Sequence, residues 1–362
     1  MTARQQILDC LAGVPPAAPI FLPDLALWHR WHAARGTLPA GAGATLPDAA
    51  RALGAAIWSV VKPWEANTPG VETAVVEAAD ERIIRYRTDR GELTARWQLG
   101  PDGDWWQVEY PVKAAADLPA AQRLVEARRY TLQPAGLDAA RAAVGDDGVV
   151  ALELPMRPYS DVLHTILGWG EGLALLLGEG KPIIEAMLAA LEERLATLTA
   201  EVAALPGDLL LGPDNLDGQY ISPRAFRAYL DASYRRTAES ARSHGKPLVV
   251  HMGGPAGRLL PLLAQAGVSG VEGIAGPPQG DATLAEARAA AGPNLTLWGG
   301  IPQDLLVAER SEEEFEAAAR EEVEQARAAG RVLFGVADRV PVDAEWSRLR
   351  RLADRVVSCC AR

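Results

Sequence analysis

Two groups in this 362-residue chain occupy positions that ask for chemistry. His251 follows Leu-Val-Val and precedes Met-Gly-Gly, so its imidazole rises from a buried run where it must be hydrogen-bonded or used. It reads as a working group rather than a core histidine. Asp214, in LLLGPDNLDGQ, ends a wholly apolar run, and a carboxylate there is costly unless it meets a substrate, a metal or backbone donors. Asp338, with Arg339 behind it, closes a third such run. Asp214, His251 and Asp338 are the catalytic candidates, able to hold or move a proton. Asn215, Lys62, Trp64, Arg157, Trp298 and Glu272 lie on or just after neighbouring apolar runs and are the candidates for holding a substrate. Asp24, Glu65 and Asp304 occupy similar places but read equally well as helix caps or solvated loop carboxylates.

Such groups need a frame that brings them to one place. Eight short apolar runs recur: PIFLP from residue 19, AIWSVV from 56, VALEL from 150, DLLLG from 208, PLVVHM from 247, GVEGI from 270, LTLWGG from 295 and VLFGVA from 332. Continuous apolarity suits strands covered on both faces, as in a parallel sheet. Helical signals separate most of them. After Pro182 an apolar stripe recurs at Ile184, Met187, Leu188, Leu191, Leu195, Leu198 and Val202, the pattern of a long helix packed on a barrel. Ser222-Pro223 starts another helix, continued by Phe226, Leu230 and Tyr234 and stopped at Gly245. Ser311 with Glu314 forms a capping box for a helix reaching about Gly330, with Phe315, Ala319, Val323 and Ala326 inward. Strand and helix alternate, which predicts an α/β fold, a (β/α)8 TIM barrel, with ligands at the C-terminal ends of the strands. Residues about 70–115 break the rhythm with Asp-Arg-Gly and Pro-Asp-Gly turns between β-rich runs, and predict a small antiparallel meander inserted after the second strand. The expected organisation is one domain over 1–362 with that excursion.

The formal charge of −11 disfavours nucleic acid or an anionic membrane as partner and leaves a small-molecule substrate. The N-terminal segment lacks the apolar core of a signal peptide and no apolar run is long enough to span a bilayer, so a cytoplasmic protein is expected. Three cysteines, Cys10, Cys359 and Cys360, cannot build a disulfide framework. A homodimer stays open.

The ordered segments GPDNLDGQYISPRAFRAYL, HGKPLVVHMGG, LLAQAGVSGVEGI, LTLWGGI and GRVLFGVADRVPVD resemble the uroporphyrinogen decarboxylase superfamily, which includes cobamide-dependent methyltransferases, over roughly residues 160–355. The resemblance implies a (β/α)8 barrel with its cleft at the C-terminal mouth. The arginine-rich N-terminal motif that decarboxylases use on an acidic porphyrinogen is replaced here by DLALWHRWHAARG, and Arg30 and Arg35 do not reproduce its spacing. The His-x-Cys pair and later cysteine that hold zinc in the methyltransferases are replaced by His251-Met252-Gly253 and Asp338. A divalent metal such as zinc would then have only His251 and Asp338, with Asp214 or Glu272, as ligands. The leading expectation is a methyltransferase that moves a methyl group from a small methylated substrate to a corrinoid on a partner protein. The alternatives are a decarboxylase of a porphyrinogen or other carboxylated substrate, and a catalytically inactive ligand-binding barrel.

Overall fold

In the computed structural model, which describes residues 1–359, the eight expected runs are eight parallel strands of one sheet. They are β1 (Ile20–Phe21), β2 (Ile57–Val61), β3 (Gly148–Glu153), β4 (Leu209–Leu216), β5 (Leu248–Met252), β6 (Gly270–Ala275), β7 (Thr296–Ile301) and β8 (Val332–Val336). The order around the sheet is β1, β8, β7, β6, β5, β4, β3, β2. The sheet curls into a TIM-barrel-like α/β fold. Its end strands meet where the Ala56 N–H donates to the Phe21 carbonyl at 2.9 Å. Strands β3 and β8 are buried almost throughout, as parallel strands between barrel interior and helices must be.

The bottom of the barrel is closed by the helix Ala3–Ala12, which the strand pattern did not announce. Ile7, Cys10 and Leu11 join Leu22, Trp58, Val149, Leu209, Val249, Trp298 and Leu333 in one buried cluster. Each aliphatic side chain removed from water there contributes about 1.5–3 kcal/mol. Thr296 Oγ1 and Arg331 Nε, at the start of β7 and β8, donate to the Cys10 carbonyl at 2.9 and 3.3 Å. With that end plugged, the strands' C-terminal ends form the open mouth.

Arg288 ties the same end together. Its guanidinium donates to the carbonyls of Ala329, Gly292, Leu295, Gly330 and Arg331 at 2.7–3.1 Å, collecting the ends of two helices and the entries to β7 and β8. Replacing Arg288 by Ala strands these acceptors and is expected to lower stability by about 3 kcal/mol. Denaturant unfolding of Arg288→Ala and Arg288→Lys checks this. The lysine should fail to restore the loss, because one ammonium cannot reproduce a planar five-donor fork.

The chain divides into two compact units. The first comprises Met1–Lys62, Pro134–Leu154 and everything from Ala203 onward, and contains all eight barrel strands. The second comprises Pro63–Gln133 and Pro155–Val202. It holds the expected meander, seen as four antiparallel strands between Glu72 and Glu109, and a second pair, Trp64–Asn67 with Arg129–Leu132, that the sequence did not suggest. The apolar stripe after Pro182 is the helix Lys181–Ala203 with Ile184, Met187, Leu191, Leu195, Leu198 and Val202 buried. It groups with the second unit, where Arg194 donates to the Val125 and Glu126 carbonyls of the helix Leu118–Ala127.

Capping signals are realised at Ser222, which accepts from the Ala225 N–H, and at the Ser311–Glu314 box. The helix begun at Ser222 does not run unbroken to Gly245. It ends at Tyr229, and a second helix takes up at Asp231–Ser243 across Leu230, whose φ of −118° leaves the helical range. Among the described residues no helix is long and apolar enough to cross a membrane.

Candidate active site

His251 is the fourth residue of β5 and stands opposite Glu272 in β6. Facing positions on adjacent parallel strands project side chains to the same side about 4.8 Å apart, close enough to bond. The imidazole Nδ1 and a Glu272 carboxylate oxygen are hydrogen-bonded to each other. Nε2 points the other way, 3.8 Å from Asp338 Oδ1, an ion-pair distance too long for a hydrogen bond. Asp24, just after β1, completes the cluster: its charge acts on both His251 and Asp338, and its Oδ1 accepts from the Ala26 N–H at 2.8 Å. Asp24 thus does the capping-type work its sequence context suggested while also facing the imidazole.

The electrostatics favour keeping a proton here. Burial alone would push His251 down, but Glu272, the hydrogen bond to it, Asp338 and Asp24 together hold the imidazole well above its ordinary value. Burial pushes Glu272 up, and Asp338 and Asp24 add to that while His251 opposes it. Asp24 is raised as well, by burial first and then by Asp338. The His251–Glu272 pair therefore keeps a proton at neutral pH, with Nε2 facing the partly exposed Asp338.

Backbone devices set these side chains. A bulge between Glu272 and Ile274 in β6 re-aims the strand directly beside the glutamate. Asp338, two residues past β8, is left-handed with φ 62°, a conformation Asp tolerates better than most residues. Gln279 Nε2 donates to the Ala337 carbonyl at 3.3 Å and Gln303 Nε2 to that of Arg339 at 2.7 Å. The Gln303 N–H in turn donates to Gln279 Oε1 at 2.8 Å. Neither glutamine's part was legible in the sequence.

The other candidates lie as follows. Asp214 is fully buried on β4, where the register shifts between Gly212 and Leu216, and its Oδ2 faces Gly212. Asn215 is left-handed (φ 48°) and its amide lies against the backbone of Gly253, so close that a Cβ there would fall 1.7 Å from Oδ1. Gly253 and Gly254 leave room for Asn215 near the end of β4 and Asp217 just past it, whose side chains a Cβ at either glycine would meet. Lys62, exposed at the end of β2, draws down Glu153, which burial otherwise raises. Trp298 continues the His251–Glu272 row into β7 but is buried, edge-on to Trp58, with Nε1 donating to the Leu22 carbonyl at 2.9 Å. Trp64 and Arg157 belong to the second unit. Trp64 meets Tyr130 edge-to-face, and wholly buried Arg157 donates to the Pro155 carbonyl at 2.6 Å.

The residues present do not fit a thiol-activating zinc centre. Among the described residues no three His, Cys, Asp or Glu side chains are grouped to hold a metal, and Nδ1 of His251 is already taken by Glu272. Cys10 is buried at the closed end of the barrel. Cys360, and the side chain of Cys359, lie outside the described residues.

Residues 180–358 match the uroporphyrinogen decarboxylase (URO-D) family. No curated protein sequence matches the chain. Among solved structures, a methyltransferase from Methanosarcina mazei superposes with a TM-score of 0.62 at 13% identity, covering 99% of this chain and 99% of that one. A D-psicose 3-epimerase from Clostridium cellulolyticum H10 covers 68% of this chain and 86% of its own at a TM-score of 0.34 and 13% identity. The family match over the half of the chain that supplies β4–β8, and a full-length likeness in fold, agree with the ordered motifs read from the sequence, and the chain belongs to the uroporphyrinogen decarboxylase superfamily.

Proposed function

We propose that this URO-D-like enzyme removes a methyl group from a small O- or N-methylated substrate at the barrel mouth and passes it to a corrinoid carried by a partner protein. The observation that carries this reading is the imidazole of His251 held between the carboxylates of Glu272 and Asp338 at the strand ends, a setting that favours its protonated form. When the bond from methyl carbon to oxygen or nitrogen breaks, its electron pair stays on the heteroatom, which leaves far more easily if it receives a proton. His251 Nε2 is the donor. Glu272 stabilises the imidazolium until transfer, and the more exposed Asp338 returns a proton from solvent. The corrinoid, when bound, supplies the electron pair that accepts the methyl group. The methyltransferase likeness in fold supports this choice of chemistry, as does the sign of the charge around His251. With Glu272, Asp338 and Asp24 against one imidazole, the cluster repels a polycarboxylate such as a porphyrinogen and accepts a neutral or cationic molecule.

The test is a panel of methyl ethers and methylamines incubated with reduced cobalamin, with the demethylated product followed by mass. Product is expected, falling roughly tenfold in Asp338→Asn as proton return slows. Carbon dioxide released from porphyrinogens instead would establish the decarboxylase, and ligand binding without any product would establish an inactive barrel.

A further inference from the structure

We infer that Gln279 and Gln303 are positioning residues for the proton-holding cluster, fixing the left-handed Asp338 beside His251 by gripping the residue on each side of it. The inference rests on the functional reading above. The geometry is specific. Asp338 has no regular structure of its own: β8 ends at Val336, and φ at 338 is 62°. A short turn in that conformation has other backbone states within a few kcal/mol, so something must select this one. The Ala337 N–H is tied to Ile301 and the Val340 N–H to Asp24, which fixes the ends of the turn. Between them, the Ala337 and Arg339 carbonyls point to Gln279 and Gln303, and the Gln303 N–H bonded to Gln279 Oε1 locks the two amides to each other. Loops leaving β6, β7 and β8 are thereby joined around the single residue whose carboxylate faces His251 Nε2.

The glutamines serve this purpose without filling the core. Both line an open cavity of about 450 Å³, with Pro278, Asp304, Val307 and Pro341 also on its wall, so a shorter or apolar side chain leaves the barrel packing intact. The charged groups facing His251 are Glu272 from β6, Asp338 after β8 and Asp24 after β1, with Arg339 acting on Asp24. Of these, only Asp338 is flanked by both glutamine contacts.

The chain has five histidines, so the ring nitrogens of His251 can be followed individually by NMR, its signals being those missing from His251→Asn. Gln303→Met keeps the side chain's volume and removes its donor, and Gln303→Leu shortens it and likewise leaves no donor and no charge. Both are expected to shift the imidazolium-to-imidazole ratio of His251 about fivefold, in the direction and to the extent seen in Asp338→Asn. In the Asp338→Asn background neither should add anything, because the glutamine acts through that carboxylate. Unchanged His251 signals in Gln303→Met and Gln303→Leu, or a shift that persists undiminished without Asp338, would overturn the inference. The NMR reading needs no substrate. Loss of turnover assigned to His251 could therefore fail while the clamp stands, or the reverse.

Discussion

His251→Asn is expected to lower turnover by about 10²–10⁴-fold while leaving the fold intact. Asparagine fits the half-buried strand position and can hydrogen-bond Glu272, but it cannot carry a proton to a leaving atom. The wild-type pH profile follows from the sign of the shift. His251 is raised above its ordinary value, so its acid form persists through neutrality, and activity is lost as pH rises through the folded value. Glu272→Gln removes the main group holding the proton there and should bring that alkaline limb down toward the ordinary histidine range. Stability moves in the same sense. His251, Glu272 and Asp24 are all raised in the folded state, so the native protein binds more protons than the unfolded chain between the two sets of values. The stabilisation is complete below the unfolded values and declines as pH rises through the folded ones. Denaturation midpoints across pH 4–9 should show the decline, and His251→Asn should flatten its upper part. A variant that keeps full turnover would end the assignment of His251 as acid.

What could be read from residues alone was what is local. Eight apolar runs gave eight strands, because burial on both faces imposes continuous apolarity whatever the topology. Ser222 and the Ser311–Glu314 box announced helix starts, because a cap is made within four residues. The break at Leu230 escaped, since the stripe through Phe226, Leu230 and Tyr234 continues in register across two helices. The plug formed by Ala3–Ala12 escaped too, because its partners are spread along the chain from Leu22 to Leu333 and meet only when the barrel closes. At the site, His251 and Asp338 were visible as polar groups at strand ends, but the bond between His251 and Glu272 depends on strand register, which hydrophobic pattern does not supply. Asp24 read equally well as a strand-end group and as a helix cap, and its position near His251 is a product of barrel closure. Trp298 could be placed on a strand, but which side of the barrel wall it faces is set by the same register.

Gly273→Ala is expected to cost about 3 kcal/mol or more and to disconnect Glu272 from His251. Gly273 sits in the bulge of β6 at φ 98°, a region L side chains rarely adopt, and a Cβ built there would lie 2.2 Å from the Met252 carbonyl oxygen. That obstacle is backbone of the adjacent strand, so it cannot rotate aside. Relief requires either β5 and β6 to separate or the bulge to flatten, and flattening shifts the face presented by the strand at that point. Both outcomes move the glutamate that keeps His251 charged. Denaturant unfolding measures the first consequence and the ring-nitrogen signals of His251 the second. Glu272→Gln separates the two, because it removes the charge with the backbone unchanged and should shift the histidine signals at little cost in stability. Full stability in Gly273→Ala would mean that the strand relaxes freely here, and the bulge would then have no part in aiming the carboxylate. Loss of stability with His251 still held in its imidazolium form would place the bulge's role in the barrel wall alone.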